Sequence, residues 1–183
     1  MKPEFSYDER TLREVPKDLE HLRAYIQELR DALPRAIDPK NKVSILGEIG
    51  TLLRSAGELF LAEQSLEEAL SLVQSHSLGL QWEIQQKIRL AHVFQWQGRF
   101  DRSNGLFSEV MEICRRDGQV KNYLPFALQH SGKNFFDQGL WREALALFEE
   151  ALALRMAQGA AQDQIESSQL ALKETKRRLN IRE

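Results

Sequence analysis

The chain has 183 residues, 42% of them hydrophobic, enough for one compact domain or a short repeat array with a real core. Its 25 basic and 27 acidic residues leave a formal charge of −2, which excludes a global pull toward nucleic acid or an anionic membrane. A single cysteine, Cys114, excludes an intramolecular disulfide, and no apolar run approaches the ~20 residues of a membrane helix, so the expected setting is reducing and cytoplasmic.

Residues 1–16 open as MKPEFSYDER and read as a polar N-terminal tail, without the apolar segment of a secretory signal. Their mixed composition suits a disordered tail, an occupant of a groove or a dimerisation arm. No period-two alternation bounded by hairpin turns stands out, so no strand is expected. Residues 17–37 hold a flanking helix: after Pro16, Leu19, Leu22, Tyr25, Ile26, Leu29 and Leu33 fall at helical spacing, and Pro34 ends the run. Asp38-Pro39 reads as the next helix start, with Asp as N-cap and Pro at the first helical position. Apolar-periodic segments then alternate with breaks at Gly57, Ser77 to Gly79, Gly98, Gly118, Gly139 and Gly159. The whole reads as all-α, with about eight helices.

Gly57, Gly98 and Gly139 stand 41 residues apart, and the chain laid on itself at that offset keeps its residue sizes. Before each glycine comes a large residue (Leu53, Phe94, Phe135), and three residues earlier a small one (Gly50, Ala91, Gly132). After it come large Leu59, Phe100 and Trp141, small Ala62, Ser103 and Ala144, then large Leu66, Phe107 and Phe148. Ala69, Val110 and Ala151 follow, then Leu70, Met111 and Leu152, and Leu72, Ile113 and Leu154. Small residues suit close crossings of antiparallel helices, and large ones fill the space beside them. A glycine ends the first helix of each pair, where a left-handed residue is cheapest. One pair cannot bury its apolar face alone, so neighbours must stack.

These columns resemble the tetratricopeptide repeat family, whose order is L-G-x-x-Y, then Gly, a large residue, Ala, Phe and Ala-Leu. SGKNFFDQGLWREALALFEEAL in the third copy matches best, while the second copy departs at Ala91, Ser103 and Val110. The family's usual unit is about 34 residues. The longer unit here is similar to that of kinesin light chains and their bacterial relatives. The resemblance spans roughly residues 43–157 and implies a right-handed α-α superhelix with a concave inner face. Three full repeats are expected within 38–159, at about 43–79, 84–120 and 125–159. Residues 160–183 are expected as a capping helix, with Lys173 and Lys176 in place of packing residues.

No catalytic constellation accompanies the repeats. His21, His76, His92 and His130 form no pair at metal-ligand spacing, and neither HExxH nor a glycine-rich phosphate loop occurs, so no metal, cofactor or enzymatic activity is expected. Cys114 lies on an apolar face and reads as structural. Glu67-Glu68 and Glu149-Glu150 point about 100° apart on their helices and read as solvated faces. The basic stretch KETKRRLNIR has two readings: a contact for an acidic partner, or favourable charge at a helix C-terminus.

Helical phase places a second set opposite the packing columns. It comprises Ser44, Glu48, Thr51, Arg54 and Ser55 in the first repeat and Gln85, Ile88, Arg89, His92, Gln95 and Trp96 in the second. The third repeat adds Phe126, Gln129, His130, Lys133, Phe136 and Asp137. Trp96 and Phe126 are compatible both with inter-repeat packing and with a groove wall. Within the family, inner faces commonly hold peptides, and one subtype clamps a C-terminal carboxylate with Lys and Asn. Gly47, Thr51 and Phe126 depart from that clamp. Arg54, Arg89 and Lys133 beside Trp96, Phe126 and Phe136 suggest instead a peptide with acidic and apolar residues. The expected function is a protein- or peptide-binding scaffold without nucleic-acid or membrane partners. The alternatives are a peptide-sensing domain of a bacterial signalling system and a self-assembling, homo-oligomeric structural protein.

Overall fold

A computed structural model describes residues 1–181; Arg182 and Glu183, the end of the expected capping segment and of its basic stretch, lie outside the described residues. By their contacts they divide into two units, Met1–Tyr7 with Glu14–Arg99, and Asp8–Arg13 with the chain from Phe100 onward.

The first unit begins its helices at α1 (Leu19–Ala32), whose first-turn His21 N–H donates to the Asp18 carboxylate at 2.9 Å. A 3-10 turn at Leu33–Arg35 follows. Asp38 then caps α2 (Pro39–Ser55) by accepting from the Asn41 N–H at 3.0 Å, with Pro39 opening the helix. α3 (Leu59–Ser75) packs against α2, and α4 (Leu80–Trp96) packs on both. Val43, Leu46, Ala69 and Val73 are buried together, flanked by Leu33, Leu72, Leu78 and Trp82.

The second unit holds α5 (Phe100–Arg116), α6 (Leu124–Asp137), α7 (Trp141–Ala157) and α8 (Gln162–Arg178); α6 packs on α5, α7 on α6 and α8 on α7. A 3-10 turn at Lys121–Tyr123 leads into α6. Phe107 and Phe148 are its largest fully buried side chains. Full burial of one such ring stabilises by about 1.5–3 kcal/mol.

Two repeat columns have direct steric causes. A Cβ on Gly132 would lie 2.5 Å from the buried Phe148 ring, and one on Gly50 would lie 2.5 Å from Leu66. These glycines let α6 close on α7, and α2 on α3. At the break, Gly139 has φ +76°, its N–H donates to the Phe136 carbonyl, and the Leu140 N–H donates to that of Phe135, both at 3.0 Å. Gly57 and Gly98 repeat that cap at the 41-residue offset, at φ +81° and +72°.

The N-terminal stretch departs from the expected polar tail. It forms a two-stranded hairpin, β1 (Phe5–Asp8) paired with β2 (Arg13–Pro16). The Asp8 carboxylate fixes the turn by accepting from the Arg10 N–H at 2.9 Å and from the Thr11 hydroxyl at 2.8 Å. Each strand has only four residues, and both carry charged side chains. That is too short for alternation to register against a helical background.

Candidate functional site

In the first unit, α2 and α4 gather Arg54, His92 and Trp96. The Arg54 guanidinium stacks on the Trp96 ring at 4.8 Å and lies 3.2 Å from His92 Nδ1. It is only 7% exposed, and its NH2 lies 3.8 Å from the Glu14 carboxylate on β2. Trp96 thus packs against the preceding repeat. Arg89 lies one turn before His92, and its NH1 donates to Gln86 Oε1 at 3.1 Å. A Cβ on Gly47 would collide with the Arg89 guanidinium, so the missing side chain in α2 makes the guanidinium's berth. Burial pushes the Arg89 pKa down, partly offset by the charge of Glu48. Glu48 accepts from the Tyr25 hydroxyl at 3.2 Å and lies 3.4 Å from Lys2 Nζ. Gln85 is half-buried and Gln95 buried.

In the second unit, Phe126 stays 38% exposed. Its ring lies 6.4 Å from that of His130 and beneath the Arg155 guanidinium at 5.5 Å. His130 and Lys133 are half-buried. Gln129 is 1% exposed and belongs to an internal network rather than an open face. There the Ser168 hydroxyl donates to Gln129 Oε1 at 2.8 Å, and Arg155 NH1 donates to Ser168 Oγ at 2.7 Å and to the Gln164 carbonyl at 2.6 Å. Phe136 is likewise buried, with the Arg178 guanidinium 5.5 Å from its ring centre. Asp137 pairs with Arg13 at 2.6 Å.

Residues overlooked in the sequence carry much of this geometry. Arg155 is 3% exposed and continues the column of Val73 and Cys114, both buried apolar residues. That change of character within one column was the available signal. Burial pushes the Arg155 pKa down, as it pushes the Cys114 thiol up. Arg13, Glu14 and Arg10 lie on a hairpin that no pattern announced. The basic stretch near the C-terminus is internally compensated: Glu174 accepts from Arg177 Nε at 2.7 Å and Arg178 Nε at 3.0 Å. Among the described residues, no three His, Cys, Asp or Glu side chains gather as a metal site.

The profile of the tetratricopeptide repeat matches residues 84–179, just over half of the chain. The chain belongs to the tetratricopeptide repeat family. The matched span takes in the second and third repeats and α8; the first repeat lies outside it. A search of curated proteins returns no significant match. Among solved structures, BtubC (BKLC) from P. vanneervenii has a TM-score of 0.68 at 21% identity, covering 88% of this chain and 67% of that one. A putative kinesin light chain with nearly identical TPR-like repeats, from Podosopora anserina, has a TM-score of 0.58 at 15% identity, covering 90% and 86%. At those identities the likeness establishes the fold, an all-α tetratricopeptide solenoid. Membership of this family suggests a protein-interaction scaffold, a role typically free of catalysis. No helix among the described residues is long and apolar enough to cross a membrane.

Proposed function

We propose that the chain is a non-catalytic interaction module of the cytoplasm whose repeat inner faces bind an extended protein segment carrying acidic and apolar residues. One observation carries the reading. Arg54, over the Trp96 ring at 4.8 Å, lies 3.8 Å from the Glu14 carboxylate, and Glu14 stands in an extended strand. The face therefore already receives a carboxylate from extended backbone. Glu14 keeps a side-chain exposure of 55%, and an ion pair so open contributes little, so a partner's carboxylate can take its place. Arg89 adds a second cation on α4, disfavoured by burial and thus favoured by any anion brought close. Lys133, His130 and the exposed Phe126 offer the same chemistry in the second unit.

The test is capture from a lysate with the wild type and with an Arg89→Glu/Lys133→Glu variant. Synthetic segments of any protein retained only by the wild type are then titrated against both. The expected result is an acidic segment that binds the wild type and loses at least about tenfold in the variant, with affinity falling as salt rises. Equal affinity for both proteins refutes the reading.

A further inference from the structure

The turn of the N-terminal hairpin lies on α6 and α8 within the second unit. Arg13 reaches Asp137 at 2.6 Å, and Arg178 NH2 donates to the Arg10 carbonyl at 3.1 Å. Arg178 is itself placed by two contacts, its Nε on Glu174 at 3.0 Å and its guanidinium over the Phe136 ring. Leu12, between these contacts, is 1% exposed and has φ +55°. A non-glycine residue in the left-handed region is strained, because its Cβ crowds the backbone. Such strain persists only where the surroundings hold it. Leu12 is therefore a strained residue kept buried within the folded turn. An open cleft of about 630 Å³ remains beside the turn, lined by Glu9, Arg10, Leu170, Lys173, Glu174 and Arg177. So the turn covers only part of its surroundings.

Sequence pattern sharpens the point. Asp137 and Phe136 lie on the inner face of the third repeat, where the repeat columns call for no packing residue. An occupant supplied by the same chain brings to that face one aliphatic residue, one arginine and one backbone carbonyl that accepts from Arg178.

We propose that this hairpin is a displaceable, built-in occupant of the α6–α8 face. The partner for that face is a protein segment that repeats its chemistry: a buried aliphatic residue followed by a cation for Asp137, with a backbone carbonyl for Arg178. Neither Arg54 nor Arg89 takes part. The preference is opposite in sign to that of the α2–α4 face, so the two readings fail independently. The tether gives the hairpin an effective concentration on the order of millimolar, which an external segment must exceed.

The experiment uses the full chain throughout. Wild type, Arg13→Glu and the charge-swapped Arg13→Glu/Asp137→Lys variant are compared by amide hydrogen exchange over residues 5–16. Each is also titrated, by fluorescence anisotropy, with a fluorescein-labelled peptide of residues 1–17 in which Glu14 is changed to Gln, which removes the carboxylate that faces Arg54. Arg13→Glu sets a carboxylate against Asp137. It is expected to lose hairpin protection and to bind the peptide at least about tenfold tighter than the wild type does. The charge swap is expected to restore protection and suppress binding again, which separates release of the hairpin from loss of fold. The same peptide carrying the Arg13→Glu change is expected not to bind the Arg13→Glu protein. Unchanged protection in Arg13→Glu overturns the proposal, because the ion pair then does not hold the turn. Lost protection without peptide binding overturns it equally, because the vacated face then takes no segment.

Discussion

One substitution made at two sites tests the packing account of the repeat. Gly132→Ala places a methyl group 2.5, 2.7 and 3.0 Å from Cε1, Cδ1 and Cζ of Phe148. That ring is fully buried and cannot swing into solvent. Overpacking of this kind costs about 1–3 kcal/mol, and the two shortest contacts place this case in the upper half of the range. Replacing an interior helical glycine by alanine returns about 1 kcal/mol. The net expectation is a loss of about 1–2 kcal/mol. Gly105→Ala on α5 is the control: nothing lies within 4 Å of the added methyl, so the propensity gain stands alone. Urea and thermal unfolding followed by far-UV circular dichroism should move in opposite directions, by roughly 2–4 °C in Tm per kcal/mol for a chain of this size. In a Phe148→Leu background, where the ring is gone, the loss from Gly132→Ala should shrink. If Gly132→Ala is neutral or stabilising, the α6–α7 crossing does not close at that glycine and the account fails.

Two further outcomes follow from buried polar groups. Ser168→Ala removes the hydroxyl joining Arg155 to Gln129, and denaturant unfolding should show a loss of about 1–3 kcal/mol; a neutral result would mean the network contributes nothing. Hydrogen bonds from Arg177, then Arg178, hold the Glu174 carboxyl below its ordinary value of 4.5. Its folded pKa is therefore depressed, so its contribution is present above the unfolded value and lost as pH falls through the folded one. Stability of the wild type should decline below about pH 4.5, and Glu174→Gln should flatten part of that decline. Superimposable stability–pH curves would refute the assignment.

The helical frame was legible because its causes are local and periodic. The 41-residue phase recorded crossing distances, so Gly50, Gly132 and the capping glycines could be placed before any coordinate was known. Asp38-Pro39 announced α2 by side-chain chemistry alone. The inner-face list was less legible. Helical phase says which way a residue points, not what a neighbouring repeat lays over it. Gln95, Gln129 and Phe136 share a direction with Phe126, yet only Phe126 among them keeps substantial exposure. The hairpin escaped notice because pairing of two four-residue strands depends on partners far along the chain, such as Asp137 for Arg13. Arg155 escaped because the repeat columns stop one residue short of it, at Leu72, Ile113 and Leu154.

The buried arginine has its own logic at the contact of α7 with α8. Apolar packing is non-directional, and a helix held only by leucine and alanine contacts could slide along its neighbour at modest cost. α8 packs on α7 and also touches α6. Arg155 donates to the Gln164 carbonyl at the start of α8 and to Ser168 one turn later, and Ser168 in turn reaches Gln129 on α6. A slide of one turn would strip a buried guanidinium of both acceptors, a penalty of several kcal/mol. Val73 and Cys114, at the same column in the earlier repeats, are buried apolar residues. The third repeat therefore exchanges an apolar residue for a cation whose hydrogen bonds fix the register of α8. The register so fixed also sets Arg178 against Phe136 and the hairpin turn, so the internal network and the inner face depend on one placement of α8.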